Sequence, residues 1–271
     1  MQQITDNIYV DTERRGCNFG FVVTKDGVVV IDTPQVPSDA VQWRDDITKH
    51  GPVRHVIITE PHNDHFSGSY YFNGTVISHE GTRETIITKK KQEYEQRLMQ
   101  IAPECLPLPE GFTFRIPSIT LSQRLTLYVG EHTFQLINMP GHTPYQVAVY
   151  IPEERVVFTS DNVFHKLQAF LYQALPYEWL ESLERLKEID ADVLIPGHGS
   201  VCDKNYIPEM SGFIQDWIDT ISAAIEKGIN LEDAQKTISF LDRYPMQAGS
   251  ESKAQQVQHA NVARLYEVLK K

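Results

Sequence analysis

One short stretch constrains this chain more than any other: Thr59-Glu60-Pro61-His62-Asn63-Asp64-His65, which follows directly on the strand-like run Arg54 to Thr59. A chain that buries such a strand brings two imidazoles and two carboxylates to its end, and desolvating them is costly unless a cation neutralises them. A metal site does so. Histidines at close spacing on a strand-end loop aim several nitrogens at one place, and carboxylates add hard oxygen donors. The mixed N/O set suits Zn²⁺, Mn²⁺ or Fe²⁺ rather than a thiolate site.

Three further candidates also sit where a strand meets a loop. His142 follows the run 132 to 138, Asp161 follows 155 to 160, and His198 follows 192 to 195. Strand C-terminal ends are where α/β architectures place their sites. A single histidine after a strand is ordinarily a surface or satisfied residue, so no one of these decides anything alone. Their repetition at the same kind of position is what singles them out.

Around these residues the chain reads as α/β. Runs 18 to 24 and 27 to 32, separated by Lys25-Asp26-Gly27, form a hairpin. A helix over 39 to 49 with Ser38 as N-cap leads to the buried strand, a βαβ rhythm. A strand near Val76 to Ser78 and a charged helix from Glu80 to Gln100 complete the first half. Residues 102 to 120, rich in proline, suit a surface excursion, a passive connection in preference to a lid. Strands at 125 to 129, 132 to 138, 146 to 151 and 155 to 160 follow, then a helix from Pro176 and a strand over Asp192 to Ile195. The tail is helical. Ile207, Met210, Phe213, Ile214, Trp217, Ile218 and Ile221 share one face, Asn230 and Asp233 could cap a second helix, and 251 to 270 form a last one. No low-complexity linker divides the 271 residues, so we expect one domain, a core over about 4 to 202 with a helical C-terminal appendage over about 204 to 271.

The charge balance, 25 Lys and Arg against 36 Asp and Glu, leaves a net of −11, which disfavours nucleic acid and anionic membranes as partners. No apolar run approaches the ~18 residues that span a bilayer, and the first residues carry no secretory pattern, so a soluble, cytoplasmic protein is expected. Cys17, Cys105 and Cys202 are odd in number and far apart, and we read them as reduced and structural. Oligomeric state is not legible. The pair Arg14-Arg15 could lie near the mouth of the site, but paired surface arginines are common and we assign them no role.

Together, the stretch 59 to 65, His142, Asp161 and His198 make the sequence resemble the metallo-β-lactamase superfamily over about residues 4 to 202. The resemblance implies an αββα sandwich with a metal site at the edge between two sheets. The signature THxHxDH has Glu60 in place of its first histidine here. Carried over by position, site one would be Glu60, His62 and His142, site two Asp64, His65 and His198, with Asp161 bridging. Two divalent ions against three carboxylates and one hydroxide sum to zero charge. Zinc is expected first; the additional carboxylate leans toward harder Mn²⁺ or Fe²⁺.

The implied chemistry is hydrolysis of an ester, thioester, lactone, amide or phosphoester bond in a small molecule, by a hydroxide bridging two metal ions. Asp64 is the catalytic candidate, as acceptor of the water's proton, and Thr59, Thr143 and Ser160 could orient ligands. A zinc β-lactamase is disfavoured, because the best-known subclass carries Cys where this chain has Asp161. The alternatives are a di-iron or mononuclear iron oxidoreductase of the same fold and a non-catalytic metal- or ligand-binding sensor with an impaired site. Phe66, Tyr70, Tyr145, Phe164, His165, Lys166, Phe170 and Tyr172 could line a pocket, although we read most of these aromatics as core and Lys166 as solvated.

Overall fold

The structure, a computed structural model, describes residues 1–270. Its first sheet runs in sequence order through β1 (Gln2–Gln3), β2 (Ile8–Asp11), β3 (Phe19–Thr24), β4 (Gly27–Ile31), β5 (Val53–Ile58), β6 (Thr75–His79) and β7 (Ile119–Leu121). β1 to β4 pair antiparallel and β4 to β7 parallel. The second sheet comprises β8 (Arg124–Val129), β9 (His132–Asn138), β10 (Val147–Ile151), β11 (Val156–His165) and β12 (Val193–Gly199), antiparallel except for β11 with β12.

The period of two along each strand sorts the apolar residues into layers. In β4 and β5, Val29, Ile31 and Ile57 point into the space between the sheets, where they meet Phe134, Leu136 and Phe158 of the second sheet. Their neighbours Val28, Val30, Val56 and Ile58 point outward with Phe19 and Phe21 onto α1 (Pro37–Ile47), which covers them with Ala40, Trp43 and Ile47. On the far side, α5 (Pro176–Glu188), α6 (Ile207–Glu226) and α8 (Ala254–Leu269) bury Trp179, Leu183, Ile214, Trp217 and Leu265 against Ala148, Val157 and Leu194 of the second sheet. The result is αββα, with the helical tail supplying much of the last layer. Each such buried Val, Leu, Ile or Phe side chain contributes roughly 1.5–3 kcal/mol.

Several elements differ from the sequence expectation. Helix α1 starts at Pro37 with Val36 as its cap residue and no side-chain cap, so Ser38 is not the N-cap; the fixed φ of proline opens the first turn instead. The segment Glu80 to Gln100 is two helices, α3 (Glu80–Thr88) and α4 (Lys91–Ile101), separated by extended Lys89 and Lys90. They bury into different clusters: Ile86 of α3 joins the layer under α1, while Tyr94 and Leu98 of α4 pack with Val36, Leu108 and Phe112. The 102 to 120 excursion is therefore anchored on α4. A one-turn helix α2 (Asn63–Phe66) follows β5, and α7 (Leu231–Thr237) is capped by Asn230, whose side chain accepts from the Asp233 N–H. Strands β11 and β12 run past their expected ends, to His165 and Gly199, carrying Asp161 and His198 within the sheet rather than beyond it.

Candidate metal centre

The donors converge at one edge of the sandwich. Glu60 and His62 lie on the loop leaving β5, and the turn of α2 sends His65 inward while Asp64 stays on the open side. His142 sits after β9, its N–H donating to Asn162 Oδ1 at 3.2 Å. Asp161 lies in β11 where the register with β12 shifts, next to Ser160 at φ 51°. His198 lies in β12 beside Gly197, whose missing side chain is required: a Cβ there would stand 1.9 Å from Asp161 Oδ1. Asn18 donates from Nδ2 to the carbonyls of Pro196 and Gly199, at 2.8 and 2.7 Å, clipping the strand of His198 to the first sheet.

The spacing is that of donors around common cations. His142 Nε2 lies 3.8 Å from Glu60 Oε2, 3.5 Å from Asp161 Oδ2 and 3.2 Å from His62 Nδ1. His198 Nε2 lies 3.3 Å from Asp161 Oδ2 and 3.6 Å from Asp64 Oδ2, and His65 Nε2 lies 3.3 Å from Asp161 Oδ1. Tetrahedral ligands at ordinary Zn–N and Zn–O lengths stand about 3.4 Å apart. Glu60, His62, His142 and Asp161 form one set within 4.8 Å, and Asp64, His65 and His198 a second, with Asp161 reaching the histidines of both. Glu60 also faces both, since its Oε1 lies 3.2 Å from His65 Nε2.

A metal fits this arrangement on two grounds. Glu60 Oε2, Asp161 Oδ1 and His65 Nε2 are buried with no hydrogen-bond partner, a costly state that cations at the two donor groups would relieve. In addition, the outward nitrogens of His62, His65 and His198 meet an oxygen each: Gln173 Oε1 at 2.9 Å, Asp32 Oδ2 at 2.9 Å and Gln247 Oε1 at 2.9 Å. An acceptor on that side fixes the proton there and leaves the inward nitrogen its lone pair, the tautomer a metal needs.

The electrostatics agree. Burial works to raise the carboxyl pKa of Asp161, but His198 and His65 more than offset it and hold the group well below the usual range. Burial likewise works against Glu60, and His62 and His65 bring it down. Burial opposes charge on His62, His65 and His198, yet the surrounding carboxylates, joined by the Cys17 thiol at His65, lift all three, whereas burial keeps His142 below its ordinary value. Cys17 itself is pushed up by burial and donates to the Asp64 carbonyl at 3.0 Å, in keeping with a reduced, structural cysteine.

Asp32, Gln173 and Gln247 were not found by sequence reasoning. Asp32 directly follows β4 at φ 54° and accepts from the Thr59 N–H at 2.8 Å and from Thr59 Oγ1 at 2.5 Å; Thr59 Oγ1 also lies 2.6 Å from Ser160 Oγ. Of the proposed orienting residues, Thr59 and Ser160 belong to this chain of contacts, whereas Thr143 Oγ1 turns to Gln146. The signal for Asp32 was an acid closing an otherwise apolar strand. Gln247 had none, being remote in sequence.

A cavity of about 420 Å³ opens over the donors, lined by Asp64, Phe170, Tyr172, Gln173 and the tail residues Gln247 and Ser250. Phe164 lies beneath, stacked on His198 at 5.0 Å. Tyr145 stacks on His79 and lines an adjoining cavity with His62, Tyr172 and Gln173, whereas Phe66 is core against Phe114, Tyr70 packs on Phe112, and His165 and exposed Lys166 line a separate depression with Cys202. The adjacent arginines part company. Arg14 is spent on Asp11 and Asp39, while Arg15 lines the cavity, so only one of the pair lies at the site mouth. Nothing from 102 to 120 lines it.

A sandwich of two sheets with a histidine–carboxylate cluster at its edge defines the class, and comparison with known proteins identifies the family. The profile of the metallo-beta-lactamase superfamily matches residues 12–198, and the chain belongs to that superfamily. It is 29% identical over 126 residues to a hydroxyacylglutathione hydrolase of Mesorhizobium japonicum, covering 46% of this chain and 48% of that one. A metallo-beta-lactamase family protein from Thermus thermophilus superposes with a TM-score of 0.72 at 17% identity over 99% of this chain and 94% of the other. The sec-alkylsulfatase Pisa1 from Pseudomonas sp. superposes at 0.73 and 16% identity over 98% of this chain and 49% of that one. Both likenesses extend through the helical tail. The chain spans about half the length of the curated relatives it matches. No helix among the described residues is long and apolar enough to cross a membrane.

Proposed function

We propose that this chain is a metal-dependent hydrolase of a small molecule and that it acts as a single unit, sandwich and tail together. One ion would be held by Glu60, His62 and His142 and a second by Asp64, His65 and His198, with Asp161 between them. The observation that carries the reading is the clustering of donor atoms within 4.8 Å of one another in two adjoining groups, Glu60, His62, His142 and Asp161 in one and Asp64, His65 and His198 in the other. Two divalent ions there, zinc first, supply Lewis acidity that makes water acidic near neutral pH and polarises the bond under attack. Relatives named hydroxyacylglutathione hydrolase and linear primary-alkylsulfatase support ester-type substrates.

The chain's own residues do the rest. Asp64, half-buried and facing the cavity, accepts the proton of the attacking water at its carboxylate. Asp32, Gln173 and Gln247 hold His65, His62 and His198 in the tautomers described above. Phe170 and Tyr172 shield the reacting bond from bulk water.

The test is elemental analysis of protein purified without added metal, followed by chelation, add-back and a panel of carboxylic esters, thioesters, lactones, amides, phosphodiesters and sulfate esters. About two zinc or manganese ions per chain with metal-dependent hydrolysis is the expected result. Activity that survives complete chelation overturns the proposal, and two irons with oxygen consumption would replace it by the oxidoreductase alternative.

A further inference from the structure

Above the donors, the mouth of the cavity is cationic. Arg15 comes from the loop after β2, Lys89 from the break between α3 and α4, and Arg97 from α4; all three line the same cavity. They are half-buried, and none forms an ion pair with a carboxylate among the described residues, although the neighbouring Arg14 and Lys91 do. Arg15 donates one N–H to the Gly249 carbonyl at 2.6 Å and keeps its other donors; Lys89 and Arg97 make no side-chain hydrogen bond. Lys253, from the segment before α8, is close enough to Arg97 and Arg15 that, after burial, their charges lower its ammonium pKa. The acids nearby are Asp64 and Asp161, which line the floor, Glu60 buried beside Asp161 at His65, and exposed Glu251, whose carboxyl feels Arg15 only weakly.

In a chain of net charge −11 this convergence runs against the overall field. Isolated surface cations need only water. Cations from separate segments crowded on one concave rim repel one another and concentrate positive potential where an anion would be held. Guanidinium groups in addition present paired donors matched to an oxyanion.

We propose that Arg15, Lys89 and Arg97 form a subsite for a second, non-reacting carboxylate of the substrate, so that the favoured molecule is a small ester-type compound with its labile bond at the metal donors and a free carboxylate at the rim. This rests on the hydrolase reading of the floor and names the substrate class for it. Lys253 adds to the field without lining the cavity.

The experiment compares two esters of equal length on metal-loaded protein, 4-nitrophenyl valerate and mono-4-nitrophenyl glutarate. In parallel, calorimetry at fixed ionic strength measures the binding of glutarate against neutral glutaramide. The expected result is about tenfold lower KM for the anionic ester, the scale of one charge-assisted hydrogen bond, shrinking as salt is raised. Arg15→Gln and Arg97→Gln should each remove most of the preference, and Arg14→Gln should leave it intact. Arg97→Gln breaks no internal hydrogen bond and guards against misfolding of the Arg15 variant. Equal treatment of the two esters, or a preference that survives both substitutions, overturns the subsite while leaving the hydrolase reading standing. If neither ester is cleaved, calorimetry still decides: glutarate binding lost in the Arg97 variant supports the subsite, and no discrimination from glutaramide overturns it.

Discussion

His142, Asp161 and His198 lie buried on the floor of the cavity, with Glu60 and His65 buried against them, whereas Arg15, Lys89 and Arg97 ring its mouth half in water. The floor is made by strand ends of both sheets, each donor held from behind by a hydrogen bond, a backbone irregularity or a glycine that admits its neighbour. The rim is made by a loop, a helix break, a helix face and the tail segment, and its cations are held by little more than their own stems. A group that must sit within tenths of an ångström of its partners needs rigid elements around it. A group that attracts a charge through several ångströms does not. Floor and rim therefore differ in how much a single substitution should cost.

The largest effect is expected at the floor. Asp161 touches His65, His142 and His198, and Asp161→Asn removes the only carboxylate that contacts all three; hydrolytic activity should fall more than about 10³-fold, with metal content falling in parallel in elemental analysis. Retained metal and rate would break the comparison at its strongest point. Next comes the layer behind the floor. Trp217 of α6 is fully buried in the cluster that joins the tail to the second sheet, so Trp217→Ala should cost about 3–5 kcal/mol in denaturant unfolding, in one transition with the sandwich. An unchanged midpoint would mean that the tail folds apart from the rest.

Asp32→Asn keeps the shape and weakens the hold on His65 Nδ1; metal affinity in a chelator competition should drop about 10–100-fold while the fold survives. The smallest effect is expected where floor and rim meet. Gln247 bridges His198 Nδ1 and the Gly16 carbonyl, so Gln247→Ala should lower metal affinity by about tenfold and also raise KM by loosening the tail over the cavity. A change in metal affinity without any change in KM would assign Gln247 to the floor alone.

How far these parts could be read from the chain follows the same division. Glu60, His62, Asp64 and His65 lie within one loop and one turn, so their neighbourhood is local, and a charged run directly after an apolar strand is conspicuous. His142, Asp161 and His198 were legible because each follows a β-rich run. What could not be read is where those runs stop: β11 and β12 continue through Asp161 and His198 because parallel pairing with register shifts, the positive φ of Ser160 and the bare Gly197 let the two strands stay together while Asp161 turns inward. The break at Lys89–Lys90 escaped notice for a related reason. Nothing local forbids helix there, and only the need of Ile86 and Tyr94 to bury in different clusters interrupts it.

By itself, the sequence determined the succession of strands and helices, through β-rich runs and single-faced apolar stripes in α5 and α6, and it determined which side chains cluster at the strand ends, while the layer order was what the family resemblance implied. Both are consequences of short-range periodicity and of the cost of burying charge. Only the tertiary structure decided that Arg15 and not Arg14 faces the cavity, that Asp32 and Gln247 stand behind the histidines, and that three cations from separate segments share one rim. Those are contacts between residues as far as 234 positions apart in the chain, as between Arg15 and Gly249, and no local pattern encodes a contact whose partners meet only after both sheets and the tail have packed.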